Sequence, residues 1–224
     1  MSLRYLQDTS DTRDISATAA SDEDGSDGGD TLEDILAVLD GAHDEDDASE
    51  GGQGHEAENA AIVASLLPPI AARAPYALPV APHLTVTPRP YQDEAVAAWL
   101  RADGRGIVVL PTGAGKTVVA FDAMARLGVR TLVVVPTIEL LRQWRAGIQE
   151  RLALPAEMVG AVGGGERNPG PITVITYDSA AMPRRKLNGY GLLVFDEAHH
   201  LPAQSYRAIA AKCAAPWRLG LSAT

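Results

Sequence analysis

Two short segments of this chain carry residue types suited to nucleotide chemistry. Residues 110–117 read Leu-Pro-Thr-Gly-Ala-Gly-Lys-Thr, directly after the apolar run 107–110. The backbone N–H groups of such a Gly-rich turn can point at phosphates, while Lys116 neutralises the β- and γ-phosphates and the Thr117 hydroxyl reaches Mg²⁺. The strict pattern has Gly where this chain has Leu110. The residues predicted to contact the nucleotide here are Pro111, Thr112, Gly113, Ala114, Gly115, Lys116 and Thr117.

The second segment is an acidic pair, Asp196 and Glu197, which follows the apolar run 192–195. Ligands of open α/β sheets bind at the carboxyl ends of the strands, where this pair would stand. Asp196 is predicted to hold Mg²⁺ through water, because magnesium keeps several of its own waters. Glu197 is predicted to be the general base for an attacking water. A solvated acidic loop capping a helix is the alternative. Together the segments predict ATP and Mg²⁺ as cofactors.

The elements that must position these residues alternate along the chain. Apolar runs predict strands at 107–110, 131–135, 172–175, 192–195 and 217–222, and helical spacing predicts helices at 91–100, 116–127, 138–152 and 203–213. Strands that alternate with helices imply a mainly parallel sheet with helices on both faces. Residues 86–224 are therefore predicted to form a three-layer α/β/α sandwich.

Charge divides the chain into two unlike parts. Residues 1–60 hold 18 Asp and Glu against two Arg, a net charge of −16, and residues 61–224 carry +6, which together give the chain's −10. The first part buries too little apolar area to fold and is predicted to be a disordered acidic tail. Residues 31–40 within it predict a short amphipathic helix that either docks on a partner protein or forms only transiently. The Pro- and Ala-rich residues 61–85 predict an extended arm lying on the domain.

The composition also bears on location and partners. Cys213 is the single cysteine, there is no signal peptide, and no apolar run reaches the roughly 18 residues of a membrane span. These features predict a cytoplasmic protein without membrane association. His199 and His200 could be zinc ligands, but the chain has a single cysteine and no other cluster of ligand residues, which argues against a zinc site. A basic body of +6 suits a polyanionic partner such as nucleic acid.

Polar and Gly-rich stretches lie between the two nucleotide segments. Hydroxyls and backbone amides at strand ends could bind a strand's phosphates without reading its bases. The predicted nucleic-acid contacts are Pro136, Thr137, Gln143, Gly164, Thr176, Asp178 and Ser179. The stretches that contain them also have structural explanations. The Pro-Thr turn can be a helix cap, the glycines 163–165 can be a hairpin, and Trp144, next to Gln143, can be a core residue.

The order of these segments resembles that of superfamily 2 helicases, most closely the XPB-like DNA repair helicases, over residues 86–224. The resemblance implies a RecA-like phosphate-loop lobe that binds ATP and acts on DNA. It implies that Arg89 and Gln92 recognise adenine and that His199 joins the catalytic group by contacting motif III and the nucleotide site. Motif III itself is the coupling segment Ser222, Ala223 and Thr224.

Phe195 and His200, with Arg-Leu-Gly-Leu before Ser222, fit XPB-like or restriction-translocase enzymes better than DEAH-box RNA helicases. The family also has a second RecA-like lobe that supplies arginine fingers, so this chain is expected to be a fragment, a truncated reading frame or a half-motor that needs a partner. Slow ATP hydrolysis and no strand separation are expected from it alone. The alternatives left open are a non-catalytic nucleotide- and nucleic-acid-binding module and a restriction-type translocase fragment.

Overall fold

A computed structural model of the chain describes residues 2–4, 65–198 and 203–223. Most of the predicted acidic tail, residues 1–60, lies outside the described residues, and so does the helix predicted at 31–40. At the start of the tail, Ser2–Arg4 forms a strand of the sheet, so the prediction that residues 1–60 are disordered is wrong there. His199, His200 and Thr224 also lie outside the described residues.

The described strands form one sheet. They are β1 (Ser2–Arg4), β2 (Arg105–Val109), β3 (Thr131–Val135), β4 (Val159–Gly163), β5 (Glu166–Asn168), β6 (Ile172–Thr176), β7 (Leu192–Phe195) and β8 (Trp217–Ser222). Their order is β1-β2-β8-β7-β3-β6-β4-β5. The six inner strands pair in parallel, and β1 and β5 add antiparallel edges. The predicted mainly parallel sheet is confirmed.

Helices cover both faces of this sheet. They are α1 (Ile70–Arg73), α2 (Pro90–Arg101), α3 (Lys116–Leu127), α4 (Ile138–Arg151), α5 (Tyr177–Ala181) and α6 (Ala203–Lys212), with short 3₁₀ helices at Ala74–Tyr76 and Ala156–Met158. Successive side chains of β3 serve opposite faces. Val133 and Val135 pack with α2, α3 and α4, whereas Leu132 and Val134 pack with α5 and α6. The predicted three-layer sandwich is confirmed. Among the helices of the described ranges, none has the length and apolar character needed to cross a bilayer.

The predicted strands and helices agree with the observed ones within about two residues, but β1, β4, β5, α1 and α5 were not predicted. The strand pattern of β4 is weak in the sequence because two of its five residues, Gly160 and Gly163, are glycines. A Cβ on Gly160 would lie 2.3 Å from the main-chain oxygen of Asn168, so the returning chain passes too close for any side chain. The glycines that allow this approach also weaken the strand signal in the sequence.

The arm, residues 65–88, packs against the sheet end that is far from the phosphate loop. Its Arg73 side chain donates hydrogen bonds to the main-chain oxygens of Arg126 (3.3 Å) and Leu127 (3.2 Å), where α3 ends. The main-chain N–H of Thr85 donates to the oxygen of Arg151 (2.8 Å), where α4 ends. Because α3 and α4 both begin at the carboxyl ends of strands, their last residues mark the opposite edge. These contacts of the arm therefore lie at the sheet edge opposite the phosphate loop.

Candidate nucleotide site and the strand ends around it

Three parallel strands deliver the predicted nucleotide residues to one edge of the sheet. β2 leads into the phosphate loop, residues 110–115, β7 leads into Asp196, and β8 leads into the predicted coupling segment. The sheet order places β8 between β2 and β7. The main-chain N–H of Leu110 donates to the oxygen of Ser222 at 3.1 Å. Because Ser222 is the last residue of β8, it lies between the phosphate loop and the acidic pair. Ser222 is buried, and Ala223, which follows it, is half-buried.

The phosphate loop has the geometry of an anion-binding turn. Gly113 and Gly115 have φ values of 83° and 74°, which residues other than glycine rarely adopt. Lys116 and Thr117 are the first two residues of α3 and are half-buried. The first N–H groups of a helix have no partner within the helix, and the helix dipole favours negative charge there. The loop can therefore receive the phosphates of a nucleotide.

Side chains of α2 hold this loop from behind. The Gln92 amide nitrogen donates to the main-chain oxygens of Ala114 (2.9 Å) and Gly115 (3.3 Å), and its oxygen accepts from the Arg89 N–H (2.9 Å). The Tyr91 hydroxyl donates to the same Ala114 oxygen at 2.8 Å. The adenine contacts of Arg89 and Gln92 stay predictions. What the structure adds is that Gln92 shapes the phosphate loop.

Asp196 is held on three sides at the end of β7. Its carboxylate accepts a hydrogen bond from the Trp144 indole N–H at 2.6 Å and another from the Glu197 main-chain N–H at 3.0 Å. Its main-chain oxygen accepts from the Tyr177 hydroxyl at 2.5 Å. Burial raises the pKa of this carboxyl, and the charge of Glu197 adds to that effect. The Trp144 hydrogen bond and the charge of Lys116 oppose it, which places Lys116 within electrostatic reach of Asp196.

Glu197 adopts a left-handed backbone with φ of 49°. This conformation is uncommon for a residue with a long side chain, and strained residues of this kind cluster at functional sites. It turns the chain sharply where β7 ends and leaves Glu197 half-buried beside the carboxylate of Asp196. The position suits the predicted general base.

The residues present fit magnesium held mainly by a nucleotide. No group of three or more His, Cys, Asp and Glu side chains within the described ranges could bind a metal by itself. Mg²⁺ usually takes one or two protein ligands together with substrate phosphates and waters. Asp196 and the Thr117 hydroxyl would supply those ligands. The ion would neutralise phosphate charge as the phosphoryl group is transferred.

The predicted nucleic-acid residues lie at the neighbouring strand ends, and their local roles match the alternatives. Thr137 follows β3 and caps α4 by accepting from the Leu140 N–H at 3.2 Å. Thr176 is the last residue of β6 and donates to the Ser179 hydroxyl at 2.9 Å, both side chains being buried. Gly164 occupies the two-residue turn between β4 and β5. The exposed members of the set are Thr137, Gln143, Gly164 and Asp178, and Pro136 is half-buried. Contacts to nucleic acid stay predictions.

Two residues that hold Asp196, Trp144 and Tyr177, are not among the predicted site residues. Helical spacing puts Trp144 on the buried face of α4 with Leu141 and Ile148, and a buried indole N–H needs an acceptor. That much could have been inferred. The acceptor, 52 residues further on, could not, because it depends on β7 lying beside β3.

Comparison with known proteins agrees with this geometry. A family model described as "Type III restriction enzyme, res subunit" matches residues 85–224. The chain is 52% identical over 137 residues to the "DNA 3'-5' translocase XPB2" of Sulfurisphaera tokodaii, a match covering 61% of this chain and 30% of that protein. It is 39% identical over 150 residues to the "Putative DNA 3'-5' helicase Rad25" of Halobacterium salinarum, covering 65% and 25%.

The solved UvsW helicase of bacteriophage T4 shares the fold, with a TM-score of 0.53 at 24% identity over 62% of this chain and 53% of that one. The matched part of the chain spans less than a third of the length of the XPB2 and Rad25 relatives. The resemblance to XPB-like superfamily 2 helicases is confirmed over the same residues that carry the motifs. The chain belongs to the family of the type III restriction enzyme res subunit.

Proposed function

We propose that this chain is the ATP-binding lobe of a DNA helicase or translocase that couples ATP hydrolysis to movement on, or unwinding of, DNA. The supporting observation is that one sheet edge holds the phosphate loop, the Asp196–Glu197 pair and the exposed strand-end residues. Nucleotide and nucleic acid would therefore bind to neighbouring strands of one rigid sheet. A role in DNA repair is favoured because a relative from Saccharomyces cerevisiae is named "General transcription and DNA repair factor IIH helicase/translocase subunit XPB/SSL2".

In this proposal the chain's residues divide the work. The loop N–H groups and Lys116 bind the phosphates, Asp196 orients magnesium, and Glu197 accepts the proton of the attacking water. A second lobe, implied by the family, would supply arginine fingers, which contribute roughly 10³–10⁵ in rate in related phosphate-loop enzymes. The chain alone is therefore expected to bind ATP and to hydrolyse it slowly.

The test is nucleotide and DNA binding by residues 1–224. A fluorescent ATP analogue should bind in the presence of Mg²⁺, and Lys116→Ala should abolish this binding because it removes the charge that faces the terminal phosphates. Lys186→Ala, at an exposed lysine of the loop between α5 and β7, is the matched control and should bind as the wild type does. Labelled single- and double-stranded oligonucleotides should bind more weakly as salt rises. Absence of DNA binding at low salt would refute the DNA part of the proposal.

The restriction-type translocase is the second candidate, because the matching family model describes a restriction subunit. Both candidates predict ATP and DNA binding at this edge. A motor assembled from this chain and the second lobe of the proposal would separate them: a repair-type motor should act on DNA of any sequence, whereas a restriction-type motor should depend on a sequence recognised by a partner.

A further inference from the structure

Asp196 is held by side chains from two different helices, neither of which belongs to the nucleotide motifs. The Trp144 indole of α4 donates to its carboxylate at 2.6 Å, and the Tyr177 hydroxyl of α5 donates to its main-chain oxygen at 2.5 Å. The two helices lie on opposite faces of the sheet. Asp196, the predicted magnesium ligand, is therefore held from both faces of the sheet, its carboxylate by α4 and its main chain by α5.

The Trp144 side chain extends from α4 and packs against α3, the helix that follows the phosphate loop. Its ring meets the ring of Phe121 on α3 edge to face, with centroids 5.4 Å apart, and the indole is buried. The indole N–H occupies one oxygen of Asp196 and the Glu197 N–H occupies the other. Each carboxylate oxygen keeps another lone pair for a magnesium-bound water. Trp144 thus orients the carboxylate and leaves both of its oxygens able to accept a further hydrogen bond.

Tyr177 fixes the backbone of the same residue. Its ring stacks on Phe195, the last residue of β7, with centroids 6.3 Å apart and planes 19° from parallel. Its hydroxyl holds the Asp196 carbonyl at the point where the chain turns into the left-handed Glu197. Loss of this hydroxyl would free the turn that places both acidic side chains.

Both helices begin at segments predicted to contact nucleic acid. α4 starts directly after Thr137, two turns before Trp144, and α5 starts with Tyr177 itself, directly after Thr176. A strand that bound at either segment and shifted the helix would move a hydrogen bond to Asp196. Tyr177 is adjacent to Thr176, and Trp144 lies two helical turns after Thr137, so a shift of either helix would act on Asp196 through a single hydrogen bond.

We infer that Trp144 and Tyr177 are positioning residues that couple occupancy of the strand-end segments to the magnesium carboxylate. This inference rests on the proposed function, since it requires that a nucleic-acid strand binds at those segments. Coupling of this kind is reciprocal: if DNA changes the affinity for magnesium nucleotide, magnesium nucleotide changes the affinity for DNA by the same factor.

Two conservative variants remove the hydrogen bonds and keep the rings: Trp144→Phe and Tyr177→Phe. Each has a matched control. Trp99→Phe removes an equally buried indole N–H, which donates to the Arg218 main-chain oxygen at 3.0 Å. Tyr190→Phe removes a hydroxyl that donates to Thr173 at 2.8 Å. The hydrogen bonds of both control side chains lie away from Asp196, on Arg218 and Thr173.

The first measurement is ADP binding to residues 1–224 as Mg²⁺ is varied, with EDTA as the metal-free reference. Trp144→Phe should raise the Mg²⁺ concentration for half-maximal binding by about tenfold, the size of effect seen when outer-shell partners of metal ligands are removed. Binding in EDTA should be unchanged, and Trp99→Phe should behave as the wild type does. An equal Mg²⁺ requirement in Trp144→Phe and Trp99→Phe would overturn the positioning role.

The second measurement is the ratio of oligonucleotide affinities with and without a non-hydrolysable Mg·ATP analogue. The wild type and both controls should show a ratio of several-fold, and Trp144→Phe and Tyr177→Phe should bring it to about one. If the wild type shows the ratio and both variants retain it, the coupling inference fails while the proposed function stands. If the wild type binds no oligonucleotide, the proposed function fails, and the coupling inference fails with it.

A spectroscopic readout serves if Trp144→Phe does not fold. In protein labelled with 5-fluorotryptophan, the Trp144 ¹⁹F resonance can be assigned by elimination from Trp99→Phe and Trp217→Phe. It should shift when Mg²⁺ is added to the ADP complex and again when oligonucleotide is added. A Trp144 resonance that responds to neither addition would overturn the inference.

Discussion

Gln92 donates a hydrogen bond from its side-chain amide to the main-chain oxygen of Ala114, 2.9 Å away, and so joins α2 to the phosphate loop. The same side chain is buried, contacts the Gly115 oxygen at 3.3 Å and accepts from the Arg89 N–H at 2.9 Å. All polar atoms of the amide are therefore used within the protein. The loop is shaped before a nucleotide arrives, which lowers the ordering cost of binding.

Replacement of Gln92 by Ala should weaken nucleotide binding by about tenfold and lower the free energy of unfolding by about 1–3 kcal/mol, because loop carbonyls lose their donor. Gln92→Glu should be worse, since a carboxylate would face two carbonyl oxygens. Gln149→Ala, on the far end of α4, is the control. Fluorescent-nucleotide titration and urea unfolding measure the two effects. Wild-type affinity in Gln92→Ala would contradict a role for Gln92 in shaping the loop.

Gly115 and Gly128 offer a paired test of space against backbone strain, because both have left-handed φ values, 74° and 62°. A Cβ at Gly115 would lie 2.6 Å from the Gln92 amide nitrogen, whereas none of the surrounding atoms comes within 4 Å of one at Gly128. Each Ala variant should lose about 1–2 kcal/mol of stability from backbone strain. Only Gly115→Ala should also lose nucleotide affinity, by at least about tenfold.

The double variant Gln92→Ala/Gly115→Ala checks the cause of that loss. With the Gln92 amide gone, the added methyl group has room, so the affinity losses of the two single variants should not add. Full additivity, measured in the same nucleotide titration, would show that the close approach to Gln92 is not what makes Gly115 necessary.

Local patterns were sufficient to predict five of the six parallel strands, β2, β3, β6, β7 and β8, and the predicted nucleotide residues follow two of them. Strand β7 and the acidic pair form a contiguous signal of apolar residues followed by Asp196 and Glu197, and the Gly-rich loop is equally local. The contacts that hold Asp196 are not local. They arise because β7 lies beside β3, which is a property of strand order. The hydrogen bond from Trp144 therefore could not be predicted, although its need for an acceptor could.

The β4–β5 hairpin shows a different limit. The sequence allows either a phosphate-binding turn or a hairpin at residues 163–165, and the structure shows the hairpin, with Gly164 and Gly165 at φ of 57° and 93°. Positive φ at both central residues is the pattern of a tight two-residue turn. A glycine run satisfies both uses, so the sequence alone did not distinguish them.

Replacement of Glu197 by Gln should separate binding from hydrolysis. The amide keeps the size of the side chain but cannot accept the proton of the attacking water, so the hydrolysis rate should fall by about 10²–10⁴. Affinity for Mg·ATP should stay within about twofold, since Asp196 and Lys116 still serve the metal and phosphates. Single-turnover hydrolysis and equilibrium binding provide the two values. Glu157→Gln, at an exposed glutamate, is the control. Equal loss of binding and hydrolysis would contradict this division.

Cys213 should make the fold sensitive to alkaline pH. Burial raises the pKa of its thiol from 9.0 to about 11, which means that the folded state holds the proton more tightly than the unfolded state does. Stability must therefore fall as pH rises between these values. From pH 9 to 10 the wild type should lose about 1 kcal/mol more than Cys213→Ala in urea unfolding. The native thiol should also resist alkylation at pH 8 until denaturant is added. A parallel pH dependence in the two proteins would contradict the buried-thiol explanation.

The acidic residues before the domain should compete with nucleic acid for the basic body. The motivation is the division into −16 for residues 1–60 and +6 for the remainder, with the acidic part tethered at high effective concentration. Removal of the N-terminus is a poor test, because Ser2–Arg4 pairs with β2. The combined change Asp44→Asn, Glu45→Gln, Asp46→Asn and Asp47→Asn removes four charges and leaves that strand in place. It should tighten oligonucleotide binding several-fold at about 50 mM salt, and the gain should shrink toward 300 mM as screening increases. Exchange of Asp and Glu at the same four positions keeps the charge and should leave affinity at the wild-type value. Equal affinity of all three proteins at low salt would mean that the acidic segment does not shield the nucleic-acid surface.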